Sequence, residues 1–243
     1  MISICIPCYR GAERLARLLG SLLLAGTEVI EEIIIVDDGS PAFEAAQIQD
    51  VATTAAFKHL RIRPVVVLPQ NRGPVEALKV ATNRARGDLV LQLDDDLVLP
   101  PRFLSTAERL FAIPNLGVLS WRSQGPNPGQ SLHPAVGFLE PATEIAGYCM
   151  MYPRDALDEV GGIDTRFKFY CSDSDFALRV ALLGRPCYRV WWPLVPHDEH
   201  KSIDDARRHE LARIDLAAFR DKWGADGKEM ERRALARFRG EST

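Results

Sequence analysis

Leu91-Gln92-Leu93-Asp94-Asp95-Asp96-Leu97 is the stretch on which the reading of this chain turns. The apolar run from Leu89 to Leu93 predicts a short buried strand, and it stops abruptly at three adjacent carboxylates. Three neighbouring anions repel one another, and no Lys or Arg lies within five residues on either side. Something cationic must compensate them, or they sit in water. A divalent metal held by carboxylate oxygens together with substrate phosphates suits the arrangement. The simpler alternative is a solvated acidic turn ahead of a helix near Pro101.

Outward from that stretch, the first half alternates. Residues 2 to 6 read as a strand stopped by Pro7, and Leu15, Leu18, Leu19, Leu22 and Leu23 recur at helical spacing over residues 12 to 24. Ile33-Ile34-Ile35-Val36 is a β-branched run that suits a strand buried on both faces. It ends in Asp37-Asp38-Gly39-Ser40, a turn ahead of a helix from about Pro41. Residues 62 to 68 read as a third strand, nearer an edge because of Pro64, and residues 75 to 84 as a helix leading to the acidic strand. Strand–helix alternation predicts an α/β fold with a mostly parallel central sheet flanked by helices, whose ligand crevice lies at the carboxyl ends of the strands. Tyr9, Asp37-Asp38 and Asp94-Asp95-Asp96 all fall on that rim.

The second half reads differently. Residues 123 to 134 form a turn-rich stretch without periodicity, of the length that functional loops have. Residues 148 to 152 read as a strand and residues 154 to 160 as a helix ended by Gly161-Gly162. Residues 173 to 183 read as a helix opening with Asp173 and Asp175, where carboxylates favour the helix dipole. Residues 188 to 192 read as a strand, followed by a polar loop to residue 202 with His197 and His200. From Ile203 the chain is helical and charge-rich, with Leu211, Ile214 and Ala218 marking a buried face. The organisation expected is a domain over residues 1–202 (1–100 nucleotide-binding, 101–202 acceptor-binding) and a helical extension over 203–243.

Composition narrows the classes. The 243 residues are 47% hydrophobic and 26% charged, which fits a soluble globular domain, and the net charge of -3 gives no case for nucleic acid. The five cysteines are odd in number and scattered, so Cys5 and Cys8 begin neither a disulfide framework nor a zinc site. No apolar run approaches a membrane span and nothing suggests export, so the cytoplasm is the default location. Neither a phosphate-binding Gly-rich loop nor a nucleophile elbow occurs.

Several motifs carry a resemblance. Ile4-x-Ile6-Pro7-x-Tyr9, Val36-Asp37-Asp38-Gly39-Ser40, Asn71-x-Gly73 and Asp94-Asp95-Asp96 are followed by Gly147-Tyr148-Cys149-Met150-Met151-Tyr152-Pro153-Arg154, Val160-Gly161-Gly162-Ile163-Asp164 and Ser172-Asp173-Ser174-Asp175-Phe176-x-Leu178-Arg179. In this order, over residues 2 to about 202, the chain resembles the family 2 glycosyltransferases of the nucleotide-diphospho-sugar transferase (GT-A) fold. It departs where the family usually has a Glu before the catalytic Asp, here Ser172, and where it has Phe and Glu, here Ile163 and Thr165.

The resemblance implies a metal-dependent inverting transfer from a UDP- or dTDP-sugar to an acceptor hydroxyl on a glycan, a lipid-linked compound or a small molecule, with Mn2+ or Mg2+ as cofactor. Asp96 is then the first choice as direct metal ligand, Asp94 lies toward the ribose, Asp95 serves either purpose, and His197 adds a metal or diphosphate ligand. A carboxylate at Asp38 would accept the N3–H of uracil or thymine, which cytosine lacks, with Tyr9 beside the base and Pro7 shaping the strand end. Asp173 is the expected general base for the acceptor hydroxyl, and Asp175 would serve the helix dipole alone. Each has a plainer reading: turn and cap chemistry for Asp37 and Asp38, an exposed loop residue for His197, and core or crevice wall for Trp191-Trp192. The alternatives carried are a nucleotidyltransferase of related fold and a non-catalytic sugar-nucleotide-binding or scaffolding protein. The C-terminal helices could pack on the domain, form a homodimer or touch anionic headgroups as a peripheral contact.

Overall fold

The structure is a computed structural model that describes residues 1–124, 138–197, 204–224 and 227–238. An eight-stranded sheet runs through it in the order β3-β2-β1-β4-β7-β5-β8-β6. The first half supplies β1 (Ile2–Cys8), β2 (Ile30–Asp37), β3 (Val66–Val67) and β4 (Leu89–Leu93), all mutually parallel. Its helices are α1 (Ala12–Leu22), α2 (Ala42–Thr53) and α3 (Pro74–Thr82), with α4 (Phe103–Leu110) following. The β-branched run of β2 is buried on both faces as its composition predicts. Ile33 and Ile35 join one core, with Leu15, Leu18, Leu19, Phe103 and Leu104, while Ile34 and Val36 join the other, with Val75, Ala77 and Leu78. The four leucines of α1 are fully buried. At roughly 1.5–3 kcal/mol for each such side chain, burial rather than propensity holds this three-turn helix.

Two first-half expectations are corrected. Pro7 does not stop the first strand, which runs to Cys8. The Cys8 carbonyl accepts the Asp38 amide, so alternate residues turn their backbone groups to β2, and Pro7 turns the other way. Pairing with β4 has already ended there, at Cys5, so the missing N–H interrupts no ladder. The third strand shrinks to Val66–Val67, an edge as Pro64 implied, with Ile62 bridging Ile33 separately.

The second half makes the sheet mixed. β5 (Val118–Trp121) and β6 (Leu139–Pro141), neither apparent in the sequence pattern, join β7 (Cys149–Pro153) and β8 (Cys187–Val190). β7 lies antiparallel to β4, with Leu93 opposite Cys149. That reversal sets the residues just before β7 beside those just after β4, at the carboxyl edge of the parallel strands. Helices α5 (Arg154–Glu159) and α6 (Ser172–Leu182) cover the face opposite α1. The turn-rich expectation for residues 123 to 134 falls almost wholly outside the described residues, as does His200. Trp191 is buried and gives its indole N–H to Glu140 at 3.0 Å, but Trp192 is 65% exposed, so only the first of the pair packs.

The C-terminal helices α7 (Asp205–Trp223) and α8 (Gly227–Phe238) pack on this body through Phe219, Trp223, Met230 and Ala234, and also through polar groups the apolar pattern misses. Ile214, expected inside, is 39% exposed, whereas the adjacent Asp215 is fully buried. Its carboxylate accepts the backbone amides of Lys168, Phe169 and Tyr170 at 2.9, 2.8 and 2.7 Å. Asp175 is likewise no mere dipole residue. It is fully buried and contacts Arg179 at 2.9 Å, Lys222 at 2.6 Å and the Trp223 indole at 2.9 Å. Two cations and an N–H around one carboxylate compensate its desolvation and pin α7 to α6.

Asp215→Ala leaves three partly buried amides without their acceptor. It is expected to lower unfolding free energy by about 2–4 kcal/mol, against under about 0.5 kcal/mol for Ile214→Ala, as measured by chemical denaturation.

Candidate active site

A cleft of about 1040 Å³ opens at the carboxyl ends of β1, β2 and β4. Pro7, Tyr9, Asp38, Asp94, Asp95, Asp96, Asp173 and His197 all line it. The structure thus brings every site residue expected from the sequence to one cavity, and their surroundings separate them into different kinds of group.

The three adjacent carboxylates do not share one fate. Asp95 turns to Arg14 of α1, with Oδ1 2.9 Å from Nε and Oδ2 3.1 Å from Nη2, a two-pronged pair. Oδ2 also accepts the Cys8 thiol at 3.1 Å; burial and the Asp95 charge push that thiol pKa up, so it remains a donor. The compensating cation that no local residue offers therefore comes from 81 positions away. Gly11 permits this approach: a Cβ there would lie 1.9 Å from Asp95 Oδ2. Asp94 and Asp96 group differently. With His197, their ligand atoms all lie within 4.8 Å of one another, and His197 Nε2 is 3.1 Å from Asp96 Oδ1. Burial first, then the Asp96 charge, pushes the Asp94 pKa up to about 7. Two carboxylate oxygens and one imidazole nitrogen around a small volume fit a divalent cation.

His197 reaches this point because its loop is tied to the chain leaving the triplet. Leu97 bridges His197, and the Val98 amide donates to the Pro196 carbonyl at 3.2 Å. The Tyr148 ring stacks on the imidazole, with centroids 4.5 Å apart and planes 22° apart.

At the other end, Asp37 and Asp38 divide turn and cleft roles. Asp37 Oδ1 accepts the Ser40 amide at 3.1 Å and hydroxyl at 2.6 Å, closing the turn after β2. Asp38 faces the cleft and accepts the amides of Arg72 and Gly73, each at 2.8 Å. Burial raises its pKa, and each oxygen keeps a lone pair for a further donor. Tyr9 lies beside it on the cleft wall, with the Arg10 guanidinium 5.2 Å from its ring centre.

Asp173 sits in the first turn of α6. Oδ1 accepts the amide of Ser174 and Oδ2 that of Gly147, both at 2.8 Å. Burial outweighs these bonds and raises its pKa, the direction a general base needs. Gly147 is squeezed between the halves, since a Cβ would lie 3.0 Å from Asp173 Cβ and 3.2 Å from Gln92 Nε2. Gln92 in turn donates to the Gly147 carbonyl at 2.6 Å.

Arg14, Gln92, Gly147 and Tyr148 are thus part of the site but were not singled out from the sequence for these contacts. Gln92, a lone polar residue in an apolar strand, was the one legible signal. Ser172, which stands at the family's Glu position, also lines the cleft, as do Lys168 and, from α7, Arg207 and Arg208.

Comparison with known proteins agrees with this architecture. The family model described as Glycosyl transferase family 2 matches residues 3–161. An undecaprenyl-phosphate 4-deoxy-4-formamido-L-arabinose transferase of Proteus mirabilis is 34% identical over 113 residues, 44% of this chain and 33% of that protein. The counterpart from Serratia proteamaculans is 37% identical over 102 residues, 41% of this chain and 30% of that protein. The chain thus aligns with about one third of the length of these curated relatives. Among solved structures, a mannosyltransferase of Pyrobaculum calidifontis in complex with GDP-Man and Mn2+ superposes with a TM-score of 0.72 at 19% identity, covering 98% of this chain and 68% of that one. S. aureus TarS 1-349 in complex with UDP gives 0.64 at 19% identity, covering 98% and 70%. These likenesses show the GT-A fold.

The raised Asp94 pKa carries a stability consequence. A carboxyl whose folded pKa lies above its unfolded value of 3.8 costs the folded state stability as pH rises from about 4 to about 7. In the absence of divalent cations, Asp94→Asn is therefore expected to melt above the parent at pH 8, with the gap closing as pH falls toward 4. Thermal melts across that range check it.

Proposed function

The chain belongs to glycosyl transferase family 2, and from that premise we propose that it is a metal-dependent inverting glycosyltransferase that moves a sugar from a UDP- or dTDP-sugar to an acceptor hydroxyl. The observation that carries the reading is the sorting within one cleft: Asp38 at one end, Asp94, Asp96 and His197 between, and Asp173 on a separate helix. Asp38 holds the base through the N3–H of uracil or thymine, beside Tyr9 and the Pro7 strand end. Asp94 and Asp96, with His197, would hold the cation, and Mn2+ or Mg2+ held there would supply Lewis-acid neutralisation of charge developing on the leaving diphosphate. Asp95 works from behind, as the anchor of Arg14, rather than on the donor.

In this reading Asp173 removes the proton from the acceptor hydroxyl as that oxygen attacks the anomeric carbon. The bond to the diphosphate breaks on the opposite face, and one displacement inverts the centre. Its raised pKa and two amide bonds give a base that is oriented and more basic than an ordinary carboxylate. Residues 1–202 form the transferase domain in this proposal. The extension from 203 adds a wall to its cleft, since Arg207, Arg208 and Leu211 line it.

A second reading concerns the acceptor. The curated relatives are named as transferases of undecaprenyl phosphate, and Lys168, Arg207 and Arg208 put cations on the cleft wall. An attacking phosphate oxygen carries no proton to remove, so the two acceptors make opposite demands on Asp173. Among the described residues no helix is long and apolar enough to cross a membrane.

Asp173→Asn separates them. For a hydroxyl acceptor, kcat falls on the order of 100-fold or more while donor affinity measured by calorimetry holds. For a phosphate acceptor, the rate changes little. Asp175→Asn acts through the α6–α7 contact, and its loss appears in the melt rather than in donor-saturated turnover. A nucleotide competition series tests the donor side: Asp38→Ala is expected to erase the preference for UDP over CDP, and an unchanged preference would leave Asp38 as a loop anchor. Full turnover in excess chelator would remove the metal from the proposal.

A further inference from the structure

We propose that Tyr148 is a positioning residue for the metal centre, acting through its ring on His197 and through its carbonyl on Asp94. The inference rests on the metal reading given under Proposed function.

The contacts converge on one residue. The phenol ring lies nearly parallel to the His197 imidazole at 4.5 Å and 22°. The Tyr148 carbonyl accepts the Asp94 amide at 2.8 Å. Tyr148 therefore touches two of the three candidate ligands, and the third, Asp96, has its Oδ1 3.1 Å from His197 Nε2. Its own placement is fixed from both sides. The phenol hydrogen-bonds with Ser123, and the preceding Gly147 is clamped by Gln92 and Asp173.

A histidine on a loop needs this support. The Leu97 bridge and the Val98–Pro196 bond hold the His197 backbone, but neither fixes the plane of the ring. A flat partner at van der Waals distance resists rotation of that plane, and rotation is the motion that would carry Nε2 away from the two carboxylates. Orientation of a ligating histidine by a residue outside the metal's own ligands is commonly worth one to two orders of magnitude in metal affinity, so the stack belongs with the site's chemistry and not only its packing. The same strap runs on from Tyr148 to the general base. The Gly147 amide bonds Asp173 and the Tyr148 carbonyl bonds Asp94, so one dipeptide sets the spacing between cation and base.

Mn2+ binding to the full chain, followed by electron paramagnetic resonance of free Mn2+ and by calorimetry, with and without UDP, tests the proposal. Tyr148→Phe keeps the ring and should stay within about threefold of the parent, whereas Tyr148→Leu should bind Mn2+ about 10–100-fold more weakly, with UDP affinity in chelator unchanged. If Tyr148→Leu does not fold by circular dichroism, Tyr148→Met keeps the volume without a flat ring and takes its place. Parent-like Mn2+ affinity in Tyr148→Leu, with His197→Ala weakened, overturns the positioning role and leaves the metal reading standing. Equal losses in Tyr148→Phe and Tyr148→Leu also overturn it, because the phenol rather than the ring would then matter. A parent chain that binds no Mn2+ with UDP present removes both.

Discussion

Three consecutive carboxylates at the end of β4 cannot all be left facing one another, and the contact that resolves this is the two-pronged bond between Asp95 and Arg14. It removes one charge from the triplet and fastens α1 to the sheet at the cleft. Breaking such a nearly buried pair by deleting one partner would leave a charge that costs about 3–5 kcal/mol, more than any single leucine of α1 contributes. Gly11 and Cys8 complete the arrangement, one by having no Cβ where the carboxylate must come, the other by donating a thiol proton to it. The other two carboxylates, Asp94 and Asp96, are grouped with the His197 imidazole. Their charges repel each other, and with the imidazole they offer a divalent cation three ligand atoms within 4.8 Å of one another.

The second constraint is the direction of β7. Running antiparallel to β4, it delivers Gly147 and Tyr148 to the place where Asp94 leaves the sheet. A parallel strand in that position would bring its carboxyl end there instead. The reversal lets a chain segment distant in sequence bridge the metal candidates and Asp173 with backbone groups, which are set by the sheet register and not by rotamers. Asp173 itself rides on α6, so the proposed base and the proposed cation ligands are held by different elements, with the Gly147-Tyr148 strap as their common reference.

The C-terminal helices extend the same logic outward. Asp215 gathers the amides of residues 168–170, and Asp175 gathers Arg179, Lys222 and Trp223. Both are fully buried carboxylates satisfied by donors from a neighbouring segment. The cleft wall that carries Lys168 and Tyr170, and the helix that carries Asp173, are in this way tied to α7. The C-terminal helices hold that wall in place rather than hanging from it.

The sequence by itself determined the alternating first half, the buried β-branched strand, the helix of leucines and the arrival of Asp38, Asp94, Asp96 and Asp173 at a common rim. Apart from Asp173, which only the family resemblance brought to the site, these follow from residue periodicity and from strand-end geometry, which are local. It determined the family as well, through motifs in order. It did not determine which of three adjacent aspartates is held in a two-pronged arginine pair, because Arg14 comes from another element. Nor did it reveal that Asp215 rather than Ile214 is the buried residue of α7: an apolar pattern cannot announce a carboxylate contact. β5 and β6, too short to show a period, and the reversal of β7 also escaped it. Partner identity across the chain is a property of the packed sheet, so only the tertiary structure could decide which charges are neutralised and which are left for a ligand.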